Sequence, residues 1–86
     1  MYYVYVIVNE NKKLYIGRTA NLKARLKSHN KGENFSTKGH NWKLVYYESY
    51  RSSKDAYRRE KELKYHGQAK RWLKNRILDS LYSVMS

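Results

Sequence analysis

The sequence predicts a small α/β domain: a three-stranded, mainly antiparallel sheet flanked by helices, in the order β-β-α-β-α-α. Three observations predict it. Residues 2–8, 14–16 and 42–50 are runs of β-branched, aromatic and aliphatic side chains, the composition of strands. The first two runs are separated only by polar residues 9–13, a hairpin connection. The rest of the chain shows leucines at helical spacing behind cap residues. The 86 residues make one domain, taken as 1–86, with no repeat, low-complexity tract or linker.

The elements follow in order. Residues 2–8 form a strand covered on both faces, and Leu14, Tyr15 and Ile16 return as a short strand that Gly17 ends. Thr19 is the expected N-cap of a first helix carrying Leu22, Leu26 and His29 at helical spacing; Asn30, Lys31 and Gly32 stop it. Residues 33–41 have no period and read as a loop, and 42–50 resume the strand pattern. Ser52 with Asp55 suggests a capping box opening a helix that runs to about His66 and closes at Gly67. A last helix over about 68–81 carries Leu73, Ile77 and Leu81 on one stripe.

Lys and Arg number 19 against 7 acids, a formal net charge of +12. Such a chain attracts polyanions, whose released counterions drive binding. A nucleic acid, DNA or RNA, is the expected partner. Charge alone leaves RNA, a ribosome, a membrane surface or a merely soluble basic domain open. With no Cys, neither a disulfide framework nor a thiolate metal site is available, which fits a cytoplasmic setting. No run approaches the roughly 18 apolar residues of a membrane span. The apolar start lacks a basic leader and cleavage site, so it reads as a strand, not a signal peptide.

Several polar side chains fall on faces expected to be apolar. Arg25 and His29 share the stripe of Leu22 and Leu26, and Glu60 lies on that of Ala56 and Leu63. Burying an unpaired charge costs several kcal/mol, on the order of 3–5, so Arg25 and Glu60 must each meet a partner, a cleft or an ion. A plain Arg25–Glu60 ion pair, or two charges reaching water from the stripe's edge, are the structural alternatives. His29 by itself reads more readily as a satisfied structural group than as a catalyst. The three His residues at 29, 40 and 66 lack zinc-like spacing. Tyr3, Tyr5 and Ile7 share a strand face and Tyr15 lies on the hairpin partner, so they are either aromatic core or, beside Arg25 and Glu60, a polar pocket.

These residues resemble a known family. Tyr3-Val4-Tyr5, the ten-residue spacing from Tyr5 to Tyr15, the run Tyr15-Ile16-Gly17 and a following helix with Arg25 are similar to the GIY-YIG nuclease signature. Leu44-Val45-Tyr46-Tyr47-Glu48 and the segment from Asp55 to Lys61 with Glu60 extend the likeness, which covers residues 2 to about 77. More narrowly, the chain resembles the small standalone bacterial branch related to the nuclease module of the UvrC excinuclease subunit, a DNA-repair enzyme. One departure is Tyr3, where the family's first motif opens with Gly.

The resemblance implies a metal-dependent endonuclease hydrolysing DNA phosphodiester bonds through a single-metal site, with structure rather than sequence preference. Tyr5 and Tyr15 correspond to the two motif tyrosines, Arg25 to the helix arginine, Glu60 to the metal-binding glutamate for Mg²⁺ or Mn²⁺, and His29 to a residue beside the active site. Gly17 is the motif glycine, expected to permit a turn that a side chain would crowd. On this view Arg25 clamps a phosphate oxygen, Tyr15 acts as general base, and Tyr5 and His29 orient or assist. Arg18, Lys23, Lys27, Lys38, Lys70 and Arg71, with Lys31, Lys43, Lys74 and Arg76, are the expected DNA contacts. The alternative is a catalytically inactive nucleic-acid-binding module on the same fold, and a partner protein that supplies targeting is left open.

Overall fold

The computed structural model describes residues 1–85. Strands β1 (Tyr2–Asn9) and β2 (Leu14–Thr19) form the hairpin. They are followed by helix α1 (Leu22–Asn30), a single 3-10 turn (Phe35–Thr37), strand β3 (Trp42–Tyr50) and helices α2 (Ser53–Tyr65), α3 (Gly67–Arg76) and α4 (Leu78–Met85). The sheet order is β2-β1-β3, antiparallel throughout, so the predicted three-stranded sheet with flanking helices is the observed fold. Among the described residues no helix is long and apolar enough to cross a membrane.

Alternation along β1 divides the interior in two. Val4 and Val6 face Ile16, Ala56, Leu63, Ala69, Leu73 and Ile77, the core beneath α2 and α3. Tyr5 and Ile7 face the other way, toward Trp42, Tyr15, Leu22, Leu26 and Leu44, the smaller core beneath α1. The central strand is therefore buried on both sides from Val4 to Asn9, which is why its sequence reads as an unbroken apolar run. A bulge between Val6 and Ile7 against β3 lets Tyr46 and Leu44 both pair correctly with Val45 between them.

Helix α2 packs against all three strands and is bolted to β3 by one carboxylate. Glu48 accepts from Arg59 Nε at 2.9 Å and Nη2 at 3.0 Å, from the Tyr46 hydroxyl at 2.7 Å, and from the Tyr50 hydroxyl. Burial works to raise the Glu48 pKa, but the hydrogen bonds from Arg59, Tyr50 and Tyr46 outweigh it and hold the group below its usual range. The same pairing, added to desolvation, pushes the Tyr50 phenol up to about 12. With Arg59 anchored on β3, the next residue, Glu60, points about 100° further around the helix, toward β2.

Four details differ from the sequence-based expectation. Strand β2 does not end at Gly17 but runs through it to Thr19, with Gly17 opposite Tyr5. No turn occurs there; the glycine makes room for a ring. A Cβ on Gly17 would lie 2.3 Å from Tyr5 Oη and 2.5 Å from Cζ. The N-cap of α1 is Asn21, whose Oδ1 accepts from Ala24 N at 3.1 Å; Thr19 instead closes a local turn by accepting from Asn21 N at 3.0 Å. Gly67 does not close α2 but opens α3, with His66 capping both helices. The last helix is two, broken at Ile77 (φ −108°, ψ 24°), so the order is β-β-α-β-α-α-α. Ile77 and Leu81 join the same core as Leu73.

Candidate active site

The hairpin and α1 bring four of the expected side chains together. Tyr5 is 2 % exposed; its hydroxyl lies 2.7 Å from His29 Nε2 and accepts from Arg25 Nε at 3.3 Å. Tyr15, across the hairpin, packs its ring 4.9 Å from the imidazole of His29 and 6.5 Å from the ring of Tyr5. His29 is fully buried, and its Nδ1 sits 2.7 Å from the hydroxyl of Thr37, itself fully buried in the 3-10 turn.

One assignment of protons gives every donor in this chain an acceptor. Arg25 can only donate, so it fills a lone pair of Tyr5 and the phenol proton goes to His29 Nε2. The imidazole proton is then on Nδ1 and is donated to Thr37, whose own hydroxyl donates to Asn34 O at 3.4 Å. His29 is thus neutral. Desolvation, reinforced by the charge of Arg25, lowers its pKa in agreement with that assignment. Desolvation also raises the Tyr5 pKa despite the opposing hydrogen bond from Arg25, which keeps the phenol protonated. The Arg25 pKa is raised, chiefly by its bond to Tyr5 against some desolvation, with the Tyr15 hydroxyl contributing. Among the described residues no buried side-chain polar atom is left without a hydrogen bond.

Glu60 reaches the same edge of the sheet from the opposite layer. Its side chain is 14 % exposed; Oε1 accepts from Arg18 Nε at 3.3 Å and Oε2 meets Lys64 Nζ at 3.2 Å. Lys64 Nζ in turn lies 5.7 Å from the centroid of the Tyr15 ring, and the charge of Glu60 is felt at the Tyr5 phenol, whose pKa it raises. The partner of Glu60 is therefore Arg18 and Lys64, not Arg25. No group of three His, Asp or Glu side chains fit to enclose a metal occurs among the described residues. Glu60 offers a single hard carboxylate, the donor type that Mg²⁺ and Mn²⁺ take while keeping most of their waters.

Thr37 and Lys64 belong to this cluster without having been singled out in the sequence. Thr37 lies in a stretch with no period to mark it as buried, whereas Lys64, at i+4 from Glu60, could have been found by helix spacing. Of the expected DNA contacts, Arg18 stands beside Glu60. Lys23 and Lys27 are exposed on α1, on one side of the sheet, whereas Arg71, exposed, and Lys70, half-buried, lie on α3 on the other; Lys38 follows the 3-10 turn.

A three-stranded sheet with a tyrosine on each hairpin strand, an arginine on the following helix and a carboxylate brought to the same edge by the next helix is a small α/β domain of GIY-YIG-like fold. The chain belongs to the GIY-YIG family: residues 1–75 match the family model of the GIY-YIG catalytic domain. It is similar to a UPF0213 protein of Staphylococcus haemolyticus, 38 % identical over 65 residues that cover 73 % of this chain and 79 % of that protein. A UPF0213 protein of Clostridium perfringens is 39 % identical over 66 residues, 74 % of this chain and 71 % of that one. No solved structure matches the chain.

Proposed function

We propose that this protein is a metal-dependent endonuclease that hydrolyses DNA phosphodiester bonds at the Tyr5–Tyr15–Arg25–Glu60 edge, choosing its substrate by strand structure rather than base sequence. The observation that carries the reading is the convergence of two phenols and a guanidinium from one layer with a carboxylate from the other. Glu60 would hold Mg²⁺ or Mn²⁺, giving up its contact with Lys64 or Arg18 to do so. A divalent ion there supplies neutralisation of the charge that develops on the leaving oxygen.

The remaining chemistry belongs to the side chains. Arg25 spends its Nε on Tyr5 and also meets the Tyr15 hydroxyl; the other donors of its planar fork suit a non-bridging phosphate oxygen. Tyr5 is committed as a donor to His29, so it positions Arg25 rather than accepting a proton. Tyr15 is the phenol left to take the proton from the attacking water. Arg18 provides a second cation beside the phosphate. A basic surface binds any duplex through its phosphates, and no element here is shaped to read base edges.

One observation favours the alternative of a binding module without catalysis: both oxygens of Glu60 already face cations, which gives the residue a structural use. Incubating plasmid, single-stranded, flap and branched DNAs with Mg²⁺, Mn²⁺ or chelator separates the two. Metal-dependent cleavage with a preference among these structures supports the enzyme, and binding without cleavage under every condition supports the module. Cleavage that a chelator leaves intact would remove the metal from the account.

A further inference from the structure

We propose that the groove between α2 and α3 is a second nucleic-acid site, in which an unpaired base stacks on Trp72 while Arg58 and Lys61 meet its phosphates. The inference rests on the nucleic-acid substrate proposed above and adds to it the place where a single strand is held.

Trp72 is the reason to look there. It is 64 % exposed, whereas Trp42 is 6 % exposed. On α3 it is Ala69 and Leu73 that carry the packing into the core. Trp72 lies at the edge of that stripe and contributes little to it, although tryptophan is on average a strongly buried residue. Its ring walls an open groove of about 560 Å³ that Arg58, Lys61, Glu62, His66 and Gln68 also line. The acid among them is already engaged, since Glu62 is paired with Arg59. Arg58 pairs with Asp55 at the surface, a contact of the kind that yields readily to a phosphate.

The groove is joined to the candidate active site by touching side chains. Arg18, which holds Glu60, lies with its guanidinium carbon 5.1 Å from the centroid of the Tyr57 ring, and Lys61 Nζ lies 4.8 Å from the same centroid. Lys61 is also part of the groove wall. A strand leaving Arg18 therefore meets Lys61, then Arg58, with Trp72 beside them. A cationic track flanked by an aromatic face is how proteins hold single strands without reading sequence, the phosphates following the cations and a base lying on the ring.

Charge decides between this occupant and others. An apolar protein segment on Trp72 would desolvate Lys61 and the Arg58–Asp55 pair without supplying any opposite charge. A second copy of the chain would bring another +12 against the first. A polyanion with exposed bases answers both features.

The test uses the full chain in chelator, so that no cleavage occurs, with an oligothymidylate of about 12 nucleotides and a duplex of equal length. Saturating single strand should quench the red, exposed part of the tryptophan emission, which comes from Trp72, and spare the buried Trp42. Trp72→Ala should weaken single-strand affinity about 5- to 140-fold with duplex affinity changed less than twofold, and Trp72→Phe should restore most of it. Because Trp72 is exposed, circular dichroism should show the same fold in each variant. Unchanged emission, equal weakening toward both DNAs, or equal single-strand affinity in Trp72→Ala would overturn the proposal. So would a dimer in sedimentation that Trp72→Ala dissolves. The nuclease reading fails separately, through the behaviour of Glu60 variants in Mg²⁺.

Discussion

Replacing Gly17 by Ala strikes the point where fold and site depend on the same few atoms. The new Cβ would stand 2.3 Å from Tyr5 Oη, 2.5 Å from Cζ and 2.9 Å from Cε1, so about 1 Å of separation must be found. Tyr5 has little room to give: it is buried against Ile7, Trp42, Tyr15, Leu22 and Leu26. If β1 and β2 spread, their ladder weakens. If the ring turns away, its hydroxyl leaves His29 and Arg25. Overpacking costs about 1–3 kcal/mol and two lost hydrogen bonds about 1 kcal/mol each, together about 3–5 kcal/mol. A domain of this size has about 4–13 kcal/mol in all, so the variant should fold in the cold and melt at least ~10 °C lower. Urea unfolding followed by circular dichroism measures this directly. Gly67→Ala is the control, since a Cβ there meets nothing within 4 Å; it should be neutral or mildly stabilising. If Gly17→Ala unfolds within about 0.5 kcal/mol of the parent, the close approach of Tyr5 is not what this glycine provides.

Three further outcomes follow from the charges. His29 has a folded pKa below its unfolded value near ~6.5, lowered by burial and by Arg25, so the unfolded chain binds the extra proton. Stability should fall as pH drops through 6.5 toward the folded pKa; a His29→Gln variant, less stable at neutral pH, should show a flatter profile, and an equally steep one would argue against a neutral His29. Glu48 is also depressed, burial being outweighed by Arg59 and the two tyrosines. Its contribution is present above the unfolded pKa near ~4.3 and lost as pH falls through the folded one, so acid unfolding of Glu48→Gln should begin from lower stability and lose less below that pH; parallel curves would contradict this. Lys64→Ala removes a cation that competes for Glu60. At about 0.5–1 kcal/mol for a partly exposed pair, the Mg²⁺ concentration giving half-maximal cleavage should fall about 2- to 5-fold, and a rise would show that Lys64 serves the site rather than blocks it.

The strands were legible because their residue types are β-branched and aromatic, and β1 could be read as central since both its faces are apolar. Gly17 was harder. A lone glycine after a short strand reads equally as a turn or as space for a neighbour, and only the pairing of Gly17 with Tyr5 distinguishes them. Thr19 and Asn21 are both good cap residues, and the choice between them lies in backbone geometry. Nothing at Ile77 announces a break, since no Gly or Pro stands there. For the site, motif order placed Tyr5, Tyr15, Arg25 and Glu60, but the pairing of Glu60 with Arg18 and Lys64 could not be read. It depends on how far Arg59, gripped by Glu48, rotates α2. Thr37 was missed for a related reason, since an aperiodic segment gives no sign of which side chain turns inward.

The most direct measurement is nicking of supercoiled plasmid in Mg²⁺ by the parent and by Glu60→Ala, compared at equal folded fraction. The carboxylate should be indispensable to cleavage and dispensable for binding, so Glu60→Ala should hold DNA as tightly as the parent, or more tightly, and lose nicking by at least about 100-fold. Nicking at the parental rate would contradict the account.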